Sequence, residues 1–370
     1  MTKFYKIILI FFSILNIFKV RFNKIKCANY FIVNNNLEIL DKRSLNFFDL
    51  KTCNYSFNLI RTHKLNFKTL INILKIPNIF FFSIIKFLIF NKLKNKSFMN
   101  LISYIFIFLK IKRLILIDDY REMKFFSSLS KNLNLSSLIY MHGRLSKNSV
   151  IHKKTKFDIF FVWSNFFKKQ LLETSQFYKP ENIKVIGNPN FKKKIFLKKR
   201  LITIKRCLIL DEDFIYYTDI KKFLFEISKN KSIEFFFKKK ISRNIPKKIF
   251  FFLKKNKIKI IEDAVSFEKA ISKYKIDAII ASTSTGLLEA VYYDVIPIKI
   301  FSGNKKRENE FKVFLDNGMI YSAKSPKMLT NQIHRKFSYK ERLKSKNLLW
   351  GNSIYNAKKV KSKVKKFILN

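Results

Sequence analysis

Residues 277–300 read DAIIASTSTGLLEAVYYDVIPIKI. Residues 278–281 form a short, continuous apolar run, the pattern of a strand buried on both faces of a parallel sheet. Ser282, Thr283, Ser284 and Thr285 follow at its carboxyl end. Gly286 then opens a helix expected to run to about Tyr293, where Asp294 breaks it. Residues 295–300 start the next strand, with Pro297 expected near its edge, where a missing N–H costs least. Hydroxyls and unpaired N–H groups at a strand-to-helix junction favour an anion, because the helix dipole and the amides act together. Ser282, Ser284, Thr285 and Gly286 are therefore candidates for holding phosphate. Glu289 lies four residues after Thr285, on the same helix face. Its carboxylate is a candidate acceptor for the hydroxyls of a ribose. The same residues also suit a purely structural arrangement: a capped helix packed on a sheet, with Glu289 in solvent.

Outward from this stretch, strand and helix patterns alternate. Upstream, 114–117 reads as a strand ending in Asp118-Asp119, and 122–133 as a helix. Strand 137–141 ends in His142-Gly143, and 157–163 ends in Ser164-Asn165 with a helix to about 175. Strand 183–186 ends in Gly187-Asn188-Pro189. A basic linker, 192–199, carries five lysines in eight residues and is expected to be the protease-sensitive joint between two stable halves. A second series follows: strands 206–210, 233–237 and 258–261, with helices 220–228, 247–255 and 266–274. Ser325-Pro326 starts a helix to about His334, and 339–369 is basic and helical with a break near Gly351. This alternation is the signature of parallel α/β sheets, which bind ligands beyond the carboxyl ends of their strands. The expected fold is α/β, with two Rossmann-like parallel-sheet domains facing a cleft. Residues 1–195 form the first domain, 203–335 the second, and 336–370 the basic C-terminal helices.

The chain has 370 residues, 76 Lys plus Arg and 25 Asp plus Glu, for a formal charge of +51. Such a charge ordinarily points to nucleic acid. Here Lys, Asn, Ile, Phe and Tyr, all encoded by A/T-rich codons, are abundant, while Gly (6), Pro (6) and Trp (2) are scarce. The basic residues are spread along the whole chain, which fits compositional drift better than a binding arm. The charge still attracts anionic lipid, nucleotide and phosphate. Cys27, Cys53 and Cys207 are far apart and odd in number, with neither metal spacing nor a disulfide framework, which fits a reducing compartment. Residues 7–18 are apolar and flanked by Lys6 and Lys19. The run is short for a membrane span, and no small-residue cleavage site follows it. It reads as a first core segment or a shallow membrane contact. Residues 70–109 are apolar but interrupted, as helices of a folded domain are, and no transmembrane helix is expected.

Four motifs occur in order over roughly 114–300. A strand ends in a His-Gly pair, Leu138-Ile139-Tyr140-Met141-His142-Gly143. An aspartate-led strand ends in a polar turn, Asp158 to Ser164, followed by Gly187-Asn188-Pro189 and then by the Ser/Thr turn with its Glu289-Ala290 helix. Together they resemble the GT-B glycosyltransferases of bacterial surface and capsular polysaccharide synthesis and, more distantly, the CDP-glycerol glycerophosphotransferases. The resemblance implies a nucleotide-activated donor on the second domain and a glycan or lipid-linked acceptor on the first. It implies no metal and no cofactor beyond the nucleotide-sugar substrate, since positive groups and helix amides stabilise the departing diphosphate. It further implies a cytoplasmic protein, peripheral on the inner face of the cell membrane and in contact with its anionic surface. His142 is then the candidate general base, because imidazole titrates near neutral pH. Asp118 and Asp119 are candidates to orient it or to bind acceptor. Gly187, Asn188 and Lys238 join Ser282, Ser284, Thr285, Gly286 and Glu289 as donor-binding candidates.

Structural alternatives stand beside each of these roles. His142 can be bonded to a neighbouring carbonyl, the aspartates can cap a helix, and Asn188 can shape the turn before Pro189. Two departures from the family stand out. Residues 237–240 read Phe-Lys-Lys-Lys, with no histidine where such families present a basic residue or histidine, and residues 1–90 match no known pattern. Other readings of the same architecture are a glycerophosphotransferase with the same His-Gly turn and a sugar-nucleotide 2-epimerase, which needs more carboxylates in the cleft. A nucleic-acid-binding protein rests on charge alone and lacks a stacking motif.

Overall fold

Runs of Ile, Leu and Phe that are apolar on both faces become the central strands of two parallel sheets. The computed structural model describes strands 18–22, 30–34, 55–59 and 113–117, and then 123–367. Within the latter it omits 142–144, 146–154, 189–190, 192–194, 213–221, 241–244, 352–358 and a few isolated positions. The expectations for 7–17 and 70–109 therefore lie outside the described residues.

The first sheet comprises β1 (Phe18–Phe22), β2 (Tyr30–Asn34), β3 (Tyr55–Leu59), β4 (Arg113–Ile117), β5 (Ser136–Tyr140), β6 (Ile159–Val162) and β7 (Ile183–Val185). Their order is β1-β3-β2-β4-β5-β6-β7, and only β1 runs antiparallel to its neighbour. Strands β1 and β3 went unread in the sequence. Helix α1 (Met123–Asn132) connects β4 to β5, and α2 (Asn165–Thr174) connects β6 to β7.

The second sheet is wholly parallel. Its strands are β9 (Arg206–Leu210), β10 (Glu234–Lys238), β11 (Lys259–Ile261), β12 (Ala278–Ala281), β13 (Ile296–Ile300) and β14 (Tyr321–Ala323), in the order β11-β10-β9-β12-β13-β14. The chain steps outward from β9 through β10 to β11, then returns to β12 and steps the other way. The reversal between β9 and β12 is a topological switch point, where open α/β sheets form a crevice for ligands. Between the strands lie α3 (Lys247–Lys255), α4 (Phe267–Lys273), α5 (Gly286–Tyr292) and α6 (Lys305–Asp316), and α7 (Pro326–His334) follows β14. Ser266 and Ser325 cap α4 and α7 by accepting from the N–H of Lys269 and Met328, each at 3.2 Å.

Pro297 needs a correction. It is the second residue of β13, an interior strand, and not at an edge. It is tolerated because β14 begins to pair only at Ile298, opposite Tyr321. Helix α6 and strand β14 were also unread. The polar KKRENEFKVFLD of α6 shows little periodicity beyond Phe311 and Phe314, both fully buried.

A two-stranded antiparallel ribbon closes the second lobe, where β8 (Ile202–Thr203) meets β15 (Lys336–Phe337). Helix α8 (Tyr339–Trp350) then returns across α5 to α2 of the first lobe. Its capping box, Ser338 with Glu341, fixes its start. The seam between the lobes is aromatic. Trp350 stacks on Trp163 at 5.8 Å between ring centres, and Phe191 stacks on Tyr292 at 3.5 Å. The Trp350 indole N–H donates to the carbonyl of Leu288 at 3.1 Å. Beyond α8, Phe367 packs against Phe161 of β6.

Among the described residues of the linker, Phe196, Lys198 and Lys199 are exposed, but the backbone is held. Lys346 donates to the carbonyls of Ile195 (2.6 Å) and Tyr292 (2.9 Å). Arg342 donates to those of Lys198 (2.7 Å) and Arg200 (2.6 Å). The joint is thus pinned by three hydrogen bonds, one from Lys346 and two from Arg342, while the second Lys346 bond ties it to the end of α5. Among the described residues no helix is long and apolar enough to cross a membrane.

Candidate active site at the strand ends of the second sheet

Two polar turns flank the switch point. Asp211-Glu212 follows β9, and Ser282–Thr285 follows β12. The structure ties them together. The Glu212 carboxylate, 7% exposed, accepts from the N–H of Ser282 at 3.1 Å and from that of Thr283 at 3.0 and 3.2 Å. Asp211 accepts from the N–H of Lys240 at 3.0 Å and so joins the ends of β9 and β10. Neither carboxylate was singled out in the sequence. The signal was available, since both directly follow a predicted central strand, the position used to select the Ser/Thr turn.

This changes what the turn offers an anion. Two of the amides expected to be open are already held by a carboxylate. The Ser282 hydroxyl is fully buried and makes no hydrogen bond. The Gly286 N–H donates to Ser284 Oγ at 3.1 Å. Among the described residues, the N–H groups of Ser284 and Thr285 make no hydrogen bond, and both residues are half-buried at the start of α5. Thr285 is the N-cap of α5 without a side-chain cap bond, so its hydroxyl is not committed to the helix. The atoms left for a ligand are therefore those of Ser284 and Thr285.

Gly286 has a packing reason of its own. A Cβ there would sit 2.7 Å from Leu210 Cδ1 and 3.2 Å from Ser284 Oγ. The glycine lets α5 lie against the end of β9.

Glu289 is half-buried, one turn into α5. Across the seam, Tyr140 is the last residue of β5. Burial pushes the Tyr140 phenol well above its ordinary range, and Glu289 adds to the rise. The indole N–H of Trp163 donates to the Tyr140 hydroxyl at 2.6 Å. Burial, then Glu289, then Glu268 push Tyr293 upward in the same way. Through Trp350, whose indole N–H donates to Leu288 and whose ring stacks on Trp163, α5 lies beside the carboxyl edge of the first sheet. Ile117 and Tyr140 are register partners there, but Asp118, Asp119 and His142, which follow them in sequence, lie outside the described residues.

The remaining candidates fall elsewhere around this edge. Gly187 lies two residues beyond β7 of the first sheet with φ of 88°, a conformation that favours glycine. Asn188 is fully buried, and its carbonyl accepts from the N–H of Phe191 at 3.1 Å, the residue stacked on Tyr292. Lys238 ends β10, half-buried, and its carbonyl accepts from the N–H of Asp211 at 3.0 Å. A further cation was missed: Lys299, in β13 and 1% exposed, is paired with Glu308 of α6 at 2.6 Å. Among the described residues no three His, Cys, Asp or Glu side chains gather as metal ligands do.

Solved structures with a similar trace include glycosyltransferases and UDP-GlcNAc 2-epimerases. The chain's trace superposes on a glycosyltransferase from Rickettsia africae with a TM-score of 0.48 at 15% identity, covering 93% of this chain and 99% of the other. It superposes on the UDP-GlcNAc 2-epimerase of Methanocaldococcus jannaschii, solved with UDP-GlcNAc and UDP, with a TM-score of 0.48 at 13% identity, covering 92% and 99%. Against TarM the TM-score is 0.40 at 13% identity over 73% of this chain, which spans only 55% of TarM's length. No family model matches the sequence, and no curated protein matches it. These likenesses concern the fold: α/β, with two Rossmann-like parallel sheets.

Proposed function

We propose that the protein is a glycosyltransferase. It moves a sugar from a nucleotide-activated donor on the second sheet to a glycan or lipid-linked acceptor on the first, in cell-envelope polysaccharide synthesis. One observation carries this reading. Helix α5, which starts at the switch point of one sheet, meets the strand end of the other through Leu288, Trp350, Trp163 and Tyr140, joined by hydrogen bonds and ring stacking. A nucleotide held by α5 would then lie against the edge where an acceptor enters.

In this reading the Ser284 and Thr285 amides and hydroxyls meet the donor's phosphates, Glu289 accepts from the ribose hydroxyls, and Lys238 adds positive charge. The acceptor hydroxyl attacks the anomeric carbon while the bond to the diphosphate oxygen breaks, and His142 takes the hydroxyl proton. The nucleoside diphosphate leaves onto N–H groups and cations, without a metal. The protein works at the inner face of the membrane, where lipid-linked acceptors are presented.

A 2-epimerase is the nearest competing reading. Asp211 and Glu212, the carboxylates that follow β9, each accept from backbone N–H groups, a structural use that favours transfer. The test is a thermal-shift screen against UDP-, GDP-, CMP- and CDP-linked donors, followed by product analysis with and without acceptor. Transfer predicts nucleoside diphosphate released in step with a glycosylated acceptor. An epimerised sugar nucleotide formed without acceptor would overturn it.

A further inference from the structure

The second sheet has two unlike faces. One carries Leu208, Ile279, Leu287 and Leu288 and shares its core with the first lobe. The other carries Cys207, Ile209, Phe237, Ile280 and Ile298, and among the described residues its core contains none before Ile202. This outer face is covered by three helical segments: 222–227 through Phe223 and Ile227, α3 through Ile249 and Leu253, and α7 through Leu329 and Ile333. The first two connect β9 to β10 and β10 to β11. Successive right-handed crossovers in one direction set them side by side.

Their solvent sides carry bare aromatic rings. Phe251 of α3 is 65% exposed and Phe225 is 56% exposed, and Met328 of α7 adds a third apolar side chain. Lys222, Lys229, Lys247, Lys248, Lys254 and Lys255 surround the two rings, all exposed. The single acidic residue of the two segments is Glu226, paired with Lys229 at 3.1 Å. Lys229 lies over the Phe225 ring at 4.8 Å, and Lys254 over Phe250 at 5.1 Å. Drift enriches phenylalanine as well as lysine, so what marks this face is the pairing: two rings more than half exposed on neighbouring helices, both among lysines.

We propose that this outer face of the second lobe docks on an anionic lipid bilayer. The helix axes lie along the sheet, so their outward sides can meet a plane together. Rings then enter the acyl boundary while lysine stems stretch to the headgroups. A single-stranded nucleic acid instead wants rings lining a groove that tracks its backbone, whereas these rings stand on the convex sides of helices. The surface shares no residue with the strand-end site, so it stands or falls independently of the glycosyl-transfer reading.

The test is co-sedimentation of the full chain with phosphatidylcholine vesicles, with and without phosphatidylglycerol. Wild type is expected to bind only the anionic vesicles. Phe225→Ser/Phe251→Ser is expected to lose roughly tenfold or more in partitioning, and Lys247→Glu/Lys254→Glu a similar amount. Phe177→Ser, at an exposed ring of the first lobe, should leave binding unchanged. All substituted side chains are exposed, and unchanged melting curves would confirm that the variants fold. Wild-type vesicle binding by the folded double-phenylalanine variant would overturn the proposal. So would lysine variants that weaken retention on poly(U) RNA but not on vesicles.

Discussion

The guanidinium of Arg342 is ion-paired with the carboxylate of Asp294, 48 residues away, and each side chain is only 5% exposed. Asp294 also accepts from the N–H of Lys198 at 2.9 Å. The pair therefore knots α8, the end of α5 and the linker. Removing either partner strands a charge in a site that is almost wholly buried. Arg342→Ala is expected to destabilise the fold by about 3–5 kcal/mol in urea titrations. Asp294→Ala should cost at least as much, because its φ of 60° disfavours alanine. Asp294→Asn, which tolerates that backbone, should cost less than Asp294→Ala, and the difference isolates the conformational part.

The Cβ position of Gly286 is crowded by the Leu210 side chain. Gly286→Ala should cost about 1–3 kcal/mol, the usual result of overpacking. A double-mutant cycle with Leu210→Ala should recover part of that loss. If the glycine instead served close approach to phosphate, the cycle would show no coupling and the defect would appear in nucleotide affinity.

Glu289→Ala is expected to weaken binding of the nucleoside diphosphate by about 1.5–3 kcal/mol, the range for hydrogen bonds to a charged group. Glu289→Gln should recover part of it, since the amide oxygen still accepts. The free nucleoside diphosphate and the full donor should show the same loss in calorimetry. Equal affinities for wild type and Glu289→Ala in folded protein would remove Glu289 from the site.

Cys207 is fully buried in β9, and burial pushes its thiol well above the ordinary range, with Asp277 adding to the rise. The nucleophilic thiolate is therefore scarce in the native state. Peptide-mapped alkylation at Cys207 should track global unfolding by urea. Rapid labelling in native buffer would contradict the burial.

Much of the fold was legible because buried parallel strands write themselves as short runs such as LIIL-type stretches and AIIA, and scarce glycines mark their ends. Residues 206–210 and 247–255 were read to the residue, and 278–281 likewise. What escaped was structure without periodicity. The edge strand Tyr321–Ala323 has three residues, and the polar α6 buries only part of one side. At the site, the Ser/Thr turn and Glu289 were legible as a strand-end pattern. The partnership of Glu212 with Ser282 and Thr283 spans 70 residues and depends on β9 and β12 being neighbours. Local sequence cannot show that, because both carboxylate and amides look free until the strand order is known.

The aromatic seam has a thermodynamic consequence. Trp350 and Tyr292 are almost wholly enclosed, and their neighbours Trp163, Phe167 and Phe191 come from the other lobe. Neither lobe can melt while the other stays intact without baring these rings to water, at a cost of several kcal/mol. A chain that looks bipartite should therefore show one calorimetric endotherm, with van't Hoff and calorimetric enthalpies in agreement. A cut in the linker should leave its two fragments associated, held as a complex by Trp163 against Trp350.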